Sequence, residues 1–122
     1  MVSGLRVIVT GASSGLGAHA VRHLVERGAH VLAAARRFER LERLAVDLAD
    51  APGRVVPVHA DVTVDADART IVETAVGAFG GIDALVNNAG IEVQAPIDLL
   101  EEGDFEGMLR ANVVTAFLCT RA

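Results

Sequence analysis

A glycine-rich segment near the amino terminus has the residue types and spacing of a phosphate-binding turn. Thr10-Gly11-Ala12-Ser13-Ser14-Gly15-Leu16-Gly17 follows an apolar run and opens into a helical pattern. A strand-to-helix turn presents free backbone N–H groups and the positive end of a helix dipole to one point, which suits a pyrophosphate. Glycine is needed there because a Cβ would obstruct the tight backbone and the approach of the ligand. The G-x-x-x-G-x-G spacing differs from the G-x-G-x-x-G fingerprint, and an ordinary βα loop is the alternative interpretation.

Two arginines stand where a dinucleotide-binding fold discriminates between its cofactors. Counting 20 residues from Gly15 reaches Ala35, where an NAD-binding protein usually has an Asp or Glu that binds the ribose 2′-hydroxyl. Arg36 and Arg37 follow, and a guanidinium forms forked, charge-assisted bonds to a 2′-phosphate. We therefore predict that the chain prefers NADP(H), with NAD(H) as the second cofactor. The alternative is a solvated pair of arginines near a helix N-terminus.

The elements that must position these residues alternate between strand and helix. The patterns predict strands at residues 5–10, 30–35, 54–60 and 83–87, and helices at 15–27, 39–49, 65–79 and from about 104. The apolar segment 84–86 predicts a strand buried on both faces. Repeated βα units imply an α/β fold of the Rossmann type, with a doubly wound parallel sheet truncated after the fourth helix. We expect one domain over residues 1–122.

Composition and charge exclude several classes of partner. The net charge is −5, and no basic cluster is longer than Arg36-Arg37, which argues against nucleic acid. No apolar run has the length of a membrane span, so we predict no membrane association. The single cysteine, Cys119, excludes an internal disulfide and is compatible with the cytoplasm. The four histidines have no carboxylate or cysteine at metal-ligand spacing, so no metal site is predicted.

Four motifs resemble those of the short-chain dehydrogenase/reductase family and stand in the family's order. The glycine turn is similar to T-G-x-x-x-G-x-G, Asn87-Asn88-Ala89-Gly90 to N-N-A-G, Asp61-Val62 to the adenine-contacting position, and Asn112 to the helix asparagine. In the family, Asn88 lines the ribose side of the cofactor and Asp61 accepts a hydrogen bond from the adenine amino group. Capping of the next helix is the alternative for Asp61. The resemblance implies these cofactor-binding residues besides Arg36 and Arg37: Gly11, Ser13, Ser14, Gly15, Leu16, Gly17, Asp61, Val62, Asn88, Ala89 and Gly90.

The resemblance also implies hydride transfer between a nicotinamide and a small-molecule carbonyl or alcohol substrate, through a Tyr, a Lys and a Ser. This chain has no Tyr, all eleven of its basic residues are Arg, and its last Ser is Ser14. The one candidate catalytic residue is Asn112, which in the family supports a water that passes a proton to the lysine. A purely structural role is the alternative, and the proximity of Leu109 and Met108 predicts burial. We expect the amino-terminal portion of a longer reductase, or else a dinucleotide-binding module without chemistry of its own.

Apolar surface is expected to remain uncovered on the fourth strand and on the last helix. Without a fifth strand, Ala84-Leu85-Val86 becomes an exposed edge. The last helix would expose Phe105, Met108, Leu109 and Phe117. In the family this helix contributes to a dimer interface, so we expect a homo-oligomer that forms through it.

Overall fold

Four parallel strands form the centre of the fold in the computed structural model, which describes residues 1–122. The sheet order is β3-β2-β1-β4, and every neighbouring pair is parallel. The strands are β1 (Arg6–Thr10), β2 (His30–Ala35), β3 (Arg54–His59) and β4 (Ala84–Val86). This arrangement confirms the predicted α/β fold with a doubly wound parallel sheet, in which the strand order reverses beside β1.

Helices cover both faces of the sheet, and the alternation of side chains along the strands explains why. The helices are α1 (Gly15–Glu26), α2 (Phe38–Asp47), α3 (Asp65–Phe79), α4 (Glu102–Leu109) and α5 (Thr115–Arg121), with a π-helical turn (Arg110–Val114) between the last two. Val31 and Ala33 of β2 pack with residues of α1 and α2, whereas Leu32 and Ala34 pack with residues of α3 and α5. Because both faces are buried, β2 is apolar from Val31 to Ala35.

The observed boundaries lie close to the predicted ones except near the carboxyl end. The bounds of β2 and α3 are those predicted, and the other elements up to β4 differ by one or two residues at an end. The predicted last helix begins two residues earlier, at Glu102, and a π-helical turn divides it. Sequence periodicity does not distinguish such a turn, because it adds a single residue to the helical path.

The prediction that β4 is buried on both faces is wrong. Ala84 and Val86 are exposed, and Leu85 is half-buried. The physical reason is the position of β4 at an edge of the sheet, where β1 is its only neighbour. The expectation of an apolar edge is therefore confirmed.

The last helical region turns its bulkiest side chains to solvent. Phe105, Leu109 and Phe117 are 51%, 45% and 57% exposed, as expected. Met108 differs from the expectation, because it is half-buried and its sulfur accepts the N–H of Val93 at 3.3 Å. The side that packs on the sheet is formed by Thr115, Leu118 and Cys119. No helix of the chain combines the length and the apolar character that crossing a membrane requires.

Candidate functional site

A cleft of about 660 Å³ opens at the carboxyl ends of the strands. Its walls come from the glycine turn, from the segments that follow β2, β3 and β4, and from the last helical region. In open α/β sheets, ligands bind at this edge, where the strand order reverses. The cleft brings together ten predicted cofactor-binding residues: Gly11, Ser13, Ser14, Arg36, Arg37, Asp61, Val62, Asn88, Ala89 and Gly90.

Four predicted site residues do not line this cleft. Gly15 is the first residue of α1, and Leu16 beside it is 82% exposed. Gly17 is buried beneath the turn, and Asn112 lies on the last helical region. Cofactor contacts at Gly15, Leu16 and Gly17, and a catalytic role for Asn112, stay predictions.

The three glycines of the turn serve different physical needs. A Cβ at Gly17 would overlap the carbonyl oxygen of Gly11 and the side chain of Asn88. A Cβ at Gly11 would come within 2.9 Å of the Cα of Ala89. Gly15 has a φ of +56° and open space where its Cβ would stand. Gly11 and Gly17 thus allow close packing within the protein, while Gly15 is needed for its left-handed backbone conformation.

A buried hydroxyl joins the glycine turn to the segment after β4. Thr10 is 1% exposed, and its Oγ1 accepts the N–H groups of Asn88 and Ala89, each at 3.1 Å. The same hydroxyl donates to the carbonyl oxygen of Val86 at 3.4 Å. Sequence analysis included Thr10 in the glycine-rich segment but predicted no role for its hydroxyl; the available signal was its place directly before the first glycine of that segment.

Asn88 completes this connection from the other side. Its Nδ2 donates to the carbonyl oxygen of Gly11 at 3.1 Å. This hydrogen bond ties the segment after β4 to the glycine turn. Contact with a ribose stays a prediction.

Asp61 organises the turn that follows β3. Its Oδ1 accepts from the N–H of Thr63 at 3.0 Å and from the Thr63 hydroxyl at 2.6 Å. These hydrogen bonds, assisted by the charges of Arg36 and Arg110, hold the pKa of Asp61 below its usual value. The helix α3 begins at Asp65, and no side-chain hydrogen bond caps it at the preceding residue, Val64. The interpretation of Asp61 as a helix cap is therefore wrong.

Three guanidinium groups line the cleft, and none of them forms a salt bridge. Arg36 and Arg37 are exposed at the end of β2, where Ala35 places no carboxylate between them and the cleft. Arg110 belongs to the π-helical turn, and its Nη2 donates to the carbonyl oxygen of Thr63 at 2.7 Å. Sequence analysis did not select Arg110, because a lone arginine on a helix carries no signal of its partner.

Asn112 holds the segment after β4 by a pair of hydrogen bonds. Its Oδ1 accepts the N–H of Ile91 at 2.9 Å, and its Nδ2 donates to the Ile91 carbonyl at 2.7 Å. A Cβ at Gly90 would overlap that Oδ1, so a larger residue there would have to displace the Asn112 side chain. The predicted burial of Asn112 is wrong, since Asn112 is exposed. The stripe used for that prediction contains Leu109, which faces solvent.

Comparisons of sequence and of structure with known proteins both find oxidoreductases. The sequence model of the short chain dehydrogenase family matches residues 6–122. An uncharacterised oxidoreductase of Listeria innocua is 37% identical over 107 residues, which are 88% of this chain and 43% of that protein. A short chain dehydrogenase from Burkholderia cenocepacia, solved with NADP, is 31% identical with a TM-score of 0.89 over 98% of this chain and 49% of that one.

A second solved structure carries the other cofactor. The 3-ketoacyl-(acyl-carrier-protein) reductase of Brucella melitensis, complexed with NADH, is 34% identical with a TM-score of 0.91. The alignment covers 99% of this chain and 49% of that one. This chain thus spans about half the length of the proteins that it matches.

Proposed function

The chain belongs to the short-chain dehydrogenase/reductase family, and from that premise we propose that it supplies the cofactor-binding half of an NADP-dependent oxidoreductase. The observation that carries the proposal is the set of cationic groups at the cleft. Arg36 and Arg37 are exposed and unpaired, and Ala35 stands where a carboxylate would repel a 2′-phosphate. Two guanidinium groups at this edge therefore favour NADP(H), and NAD(H) is the second cofactor of the proposal.

The remaining walls of the cleft fit the rest of a dinucleotide. The open glycine turn and the N-terminus of α1 suit a pyrophosphate. Asp61 is held as an ionised acceptor, suited to the amino group of adenine. Asn88, Ala89 and Gly90 line the cleft on the side of β4, where we place the nicotinamide ribose. When bound, the nicotinamide supplies hydride transfer to or from a carbonyl or alcohol carbon.

Asn112 fits a positioning role more closely than a direct one. Both polar atoms of its side chain bind the backbone of Ile91. It therefore fixes the segment that follows Gly90, which lines the cleft. We propose that Asn112 acts on the reaction through this segment.

A non-catalytic dinucleotide-binding module is the second candidate function. The absence of Tyr and Lys, and of any Ser after Ser14, favours it for these residues alone, which we expect to bind without turning over substrate. The coding sequence distinguishes the two functions. Continuation in frame past residue 122 into a Tyr-x-x-x-Lys segment supports the enzyme, and a stop codon there supports the module.

We also propose that the protein is located in the cytoplasm and forms a homo-oligomer. The unpaired Cys119 is compatible with a reducing compartment. The exposed Phe105, Leu109 and Phe117 form an apolar surface suited to association through the last helical region.

Substitution of Arg36 by Glu tests the cofactor preference. We expect Arg36→Glu to weaken NADP(H) binding by about 1.5–3 kcal/mol, the range for hydrogen bonds to charged groups. NAD(H) binding should change much less, because NAD(H) has no 2′-phosphate. Calorimetric titration of both cofactors measures the difference, and Arg43→Glu, on an exposed position of α2, controls for net charge. Equal losses for both cofactors would contradict the assignment.

A further inference from the structure

Arg110 links the last helical region to the turn after β3. Its hydrogen bond to the Thr63 carbonyl joins residues 47 positions apart. No carboxylate forms a salt bridge with Arg110, although its charge helps to lower the pKa of Asp61, so the hydrogen bond to Thr63 is its direct polar contact. Both Arg110 and Thr63 line the cleft. The bond therefore connects two walls of the proposed cofactor site.

The turn held by Arg110 is the one that Asp61 organises. Asp61 binds both the N–H and the hydroxyl of Thr63 through Oδ1 alone. Its backbone N–H donates to the Asp67 carboxylate at 2.8 Å. Oδ2 of Asp61 accepts no hydrogen bond within the chain, so it is free to accept one from a ligand. Arg110, Thr63 and Asp61 thus form one connected unit in which one carboxylate oxygen, Oδ2 of Asp61, remains unused.

We propose that Arg110 is a positioning residue for adenine recognition: by holding Thr63 it fixes the turn at 61–63, and with it the free Oδ2 of Asp61. The inference rests on the proposed function, because it requires an adenine nucleotide in the cleft. A turn that is already ordered lowers the cost of ordering on binding. Since the Arg110 guanidinium is engaged with a carbonyl, its effect does not depend on a 2′-phosphate. Arg110 therefore differs from Arg36, whose proposed effect does.

The test uses ligands that differ at the adenine amino group. AMP has this group and IMP lacks it, so the ratio of their affinities reports on the acceptor at Asp61. We expect Arg110→Met to weaken AMP about tenfold, close to one hydrogen bond of about 1.4 kcal/mol, and to weaken IMP less. The preference for AMP over IMP should therefore fall toward one. Arg110→Lys, which keeps a donor for the carbonyl, should recover part of the preference.

Calorimetric titrations of the parent protein and three variants give separate outcomes. Arg43→Met removes an exposed arginine from α2 and should leave both affinities unchanged. An unchanged AMP-to-IMP ratio in Arg110→Met would overturn the inference. A loss restricted to 2′-phosphorylated ligands such as 2′,5′-ADP would also overturn it, because Arg110 would then be a phosphate contact. Failure of the parent protein to bind any adenine nucleotide would instead contradict the proposed function itself.

Discussion

The two ends of the β1–β4 strand pair are joined by opposite kinds of interaction. At the cleft, the buried Thr10 hydroxyl accepts the N–H groups of Asn88 and Ala89. At the far end, Arg6 donates two side-chain hydrogen bonds to the carboxylate of Asp83, at 2.9 and 2.7 Å, and both side chains are about one-third exposed. Uncharged, buried bonds fix atoms closely and depend little on salt, whereas water and ions screen an exposed ion pair. Positional precision is therefore concentrated where the ligand would bind.

The largest expected effect comes from filling the space beneath the glycine turn. We expect Gly17→Ala to lower the free energy of unfolding by about 2–3 kcal/mol, because its Cβ would overlap Gly11 and Asn88. Nucleotide binding should weaken as well, since the turn must shift. Urea unfolding and calorimetric titration measure both quantities.

A matched substitution separates this effect from that of helix propensity. Gly77 lies in α3 with open space around its Cβ position. Gly77→Ala should therefore raise stability, by up to about 1 kcal/mol. A Gly17→Ala protein as stable as its parent would mean that the turn tolerates the shift, and that the cleft end is less precise than the contrast implies.

Removal of the buried hydroxyl should have the next largest effect. Thr10→Val keeps the shape of the side chain but leaves the N–H groups of Asn88 and Ala89 without their acceptor. We expect a loss of about 1–3 kcal/mol in the free energy of unfolding. Bound nucleotide should also dissociate faster, because the two sides of the cleft are less firmly joined. Thr70→Val, on the exposed side of α3, is the control and should change stability by less than about 0.5 kcal/mol. Similar unfolding midpoints for the two variants would show that the hydrogen bonds from Asn88 and Ala89 to Thr10 contribute no measurable stability.

The smallest effect is expected at the far end, and it depends on pH. Hydrogen bonds and charge from Arg6 hold the pKa of Asp83 far below its usual value. A lowered pKa in the folded state stabilises the fold above the unfolded pKa of about 3.9, and this contribution is lost as the pH falls toward the folded value. Asp83→Asn should therefore cause a small loss of stability at neutral pH that shrinks under acid or in high salt.

Urea unfolding of the parent and of Asp83→Asn across the acidic range measures this difference. Nucleotide affinity should be the same in both proteins, because Asp83 lies at the opposite end of the sheet from the cleft. An Asp83→Asn protein that loses nucleotide binding while it stays folded would show that the two ends are not independent.

Patterns of apolar residues were sufficient to predict the fold because each strand and helix is specified locally. The uniform apolar run of β2 and the helical spacing in α3 left little ambiguity, and their bounds agree with the structure. The burial of β4 was mispredicted because burial depends on what lies beside a strand, which its own three residues do not encode.

The candidate site was predictable to the extent that its residues belong to contiguous motifs. The glycine turn and Asn88 have recognisable spacing, and the structure places them against each other. Thr10 and Arg110 act through partners 78 and 47 residues away, and no local pattern identifies such pairs. The exposure of Asn112 escaped prediction because the helical stripe beside it faces solvent and does not pack on the sheet.

Hydrogen bonds connect the last helical region to the cleft at two points. Arg110 forms a hydrogen bond with Thr63 on one wall, and Asn112 forms two with Ile91 on the other. Arg110 and Asn112 both belong to the π-helical turn of five residues. The exposed Phe105 and Phe117 lie on either side of that turn. The conformation of this short turn is therefore expected to fix the positions of both walls of the cleft at once.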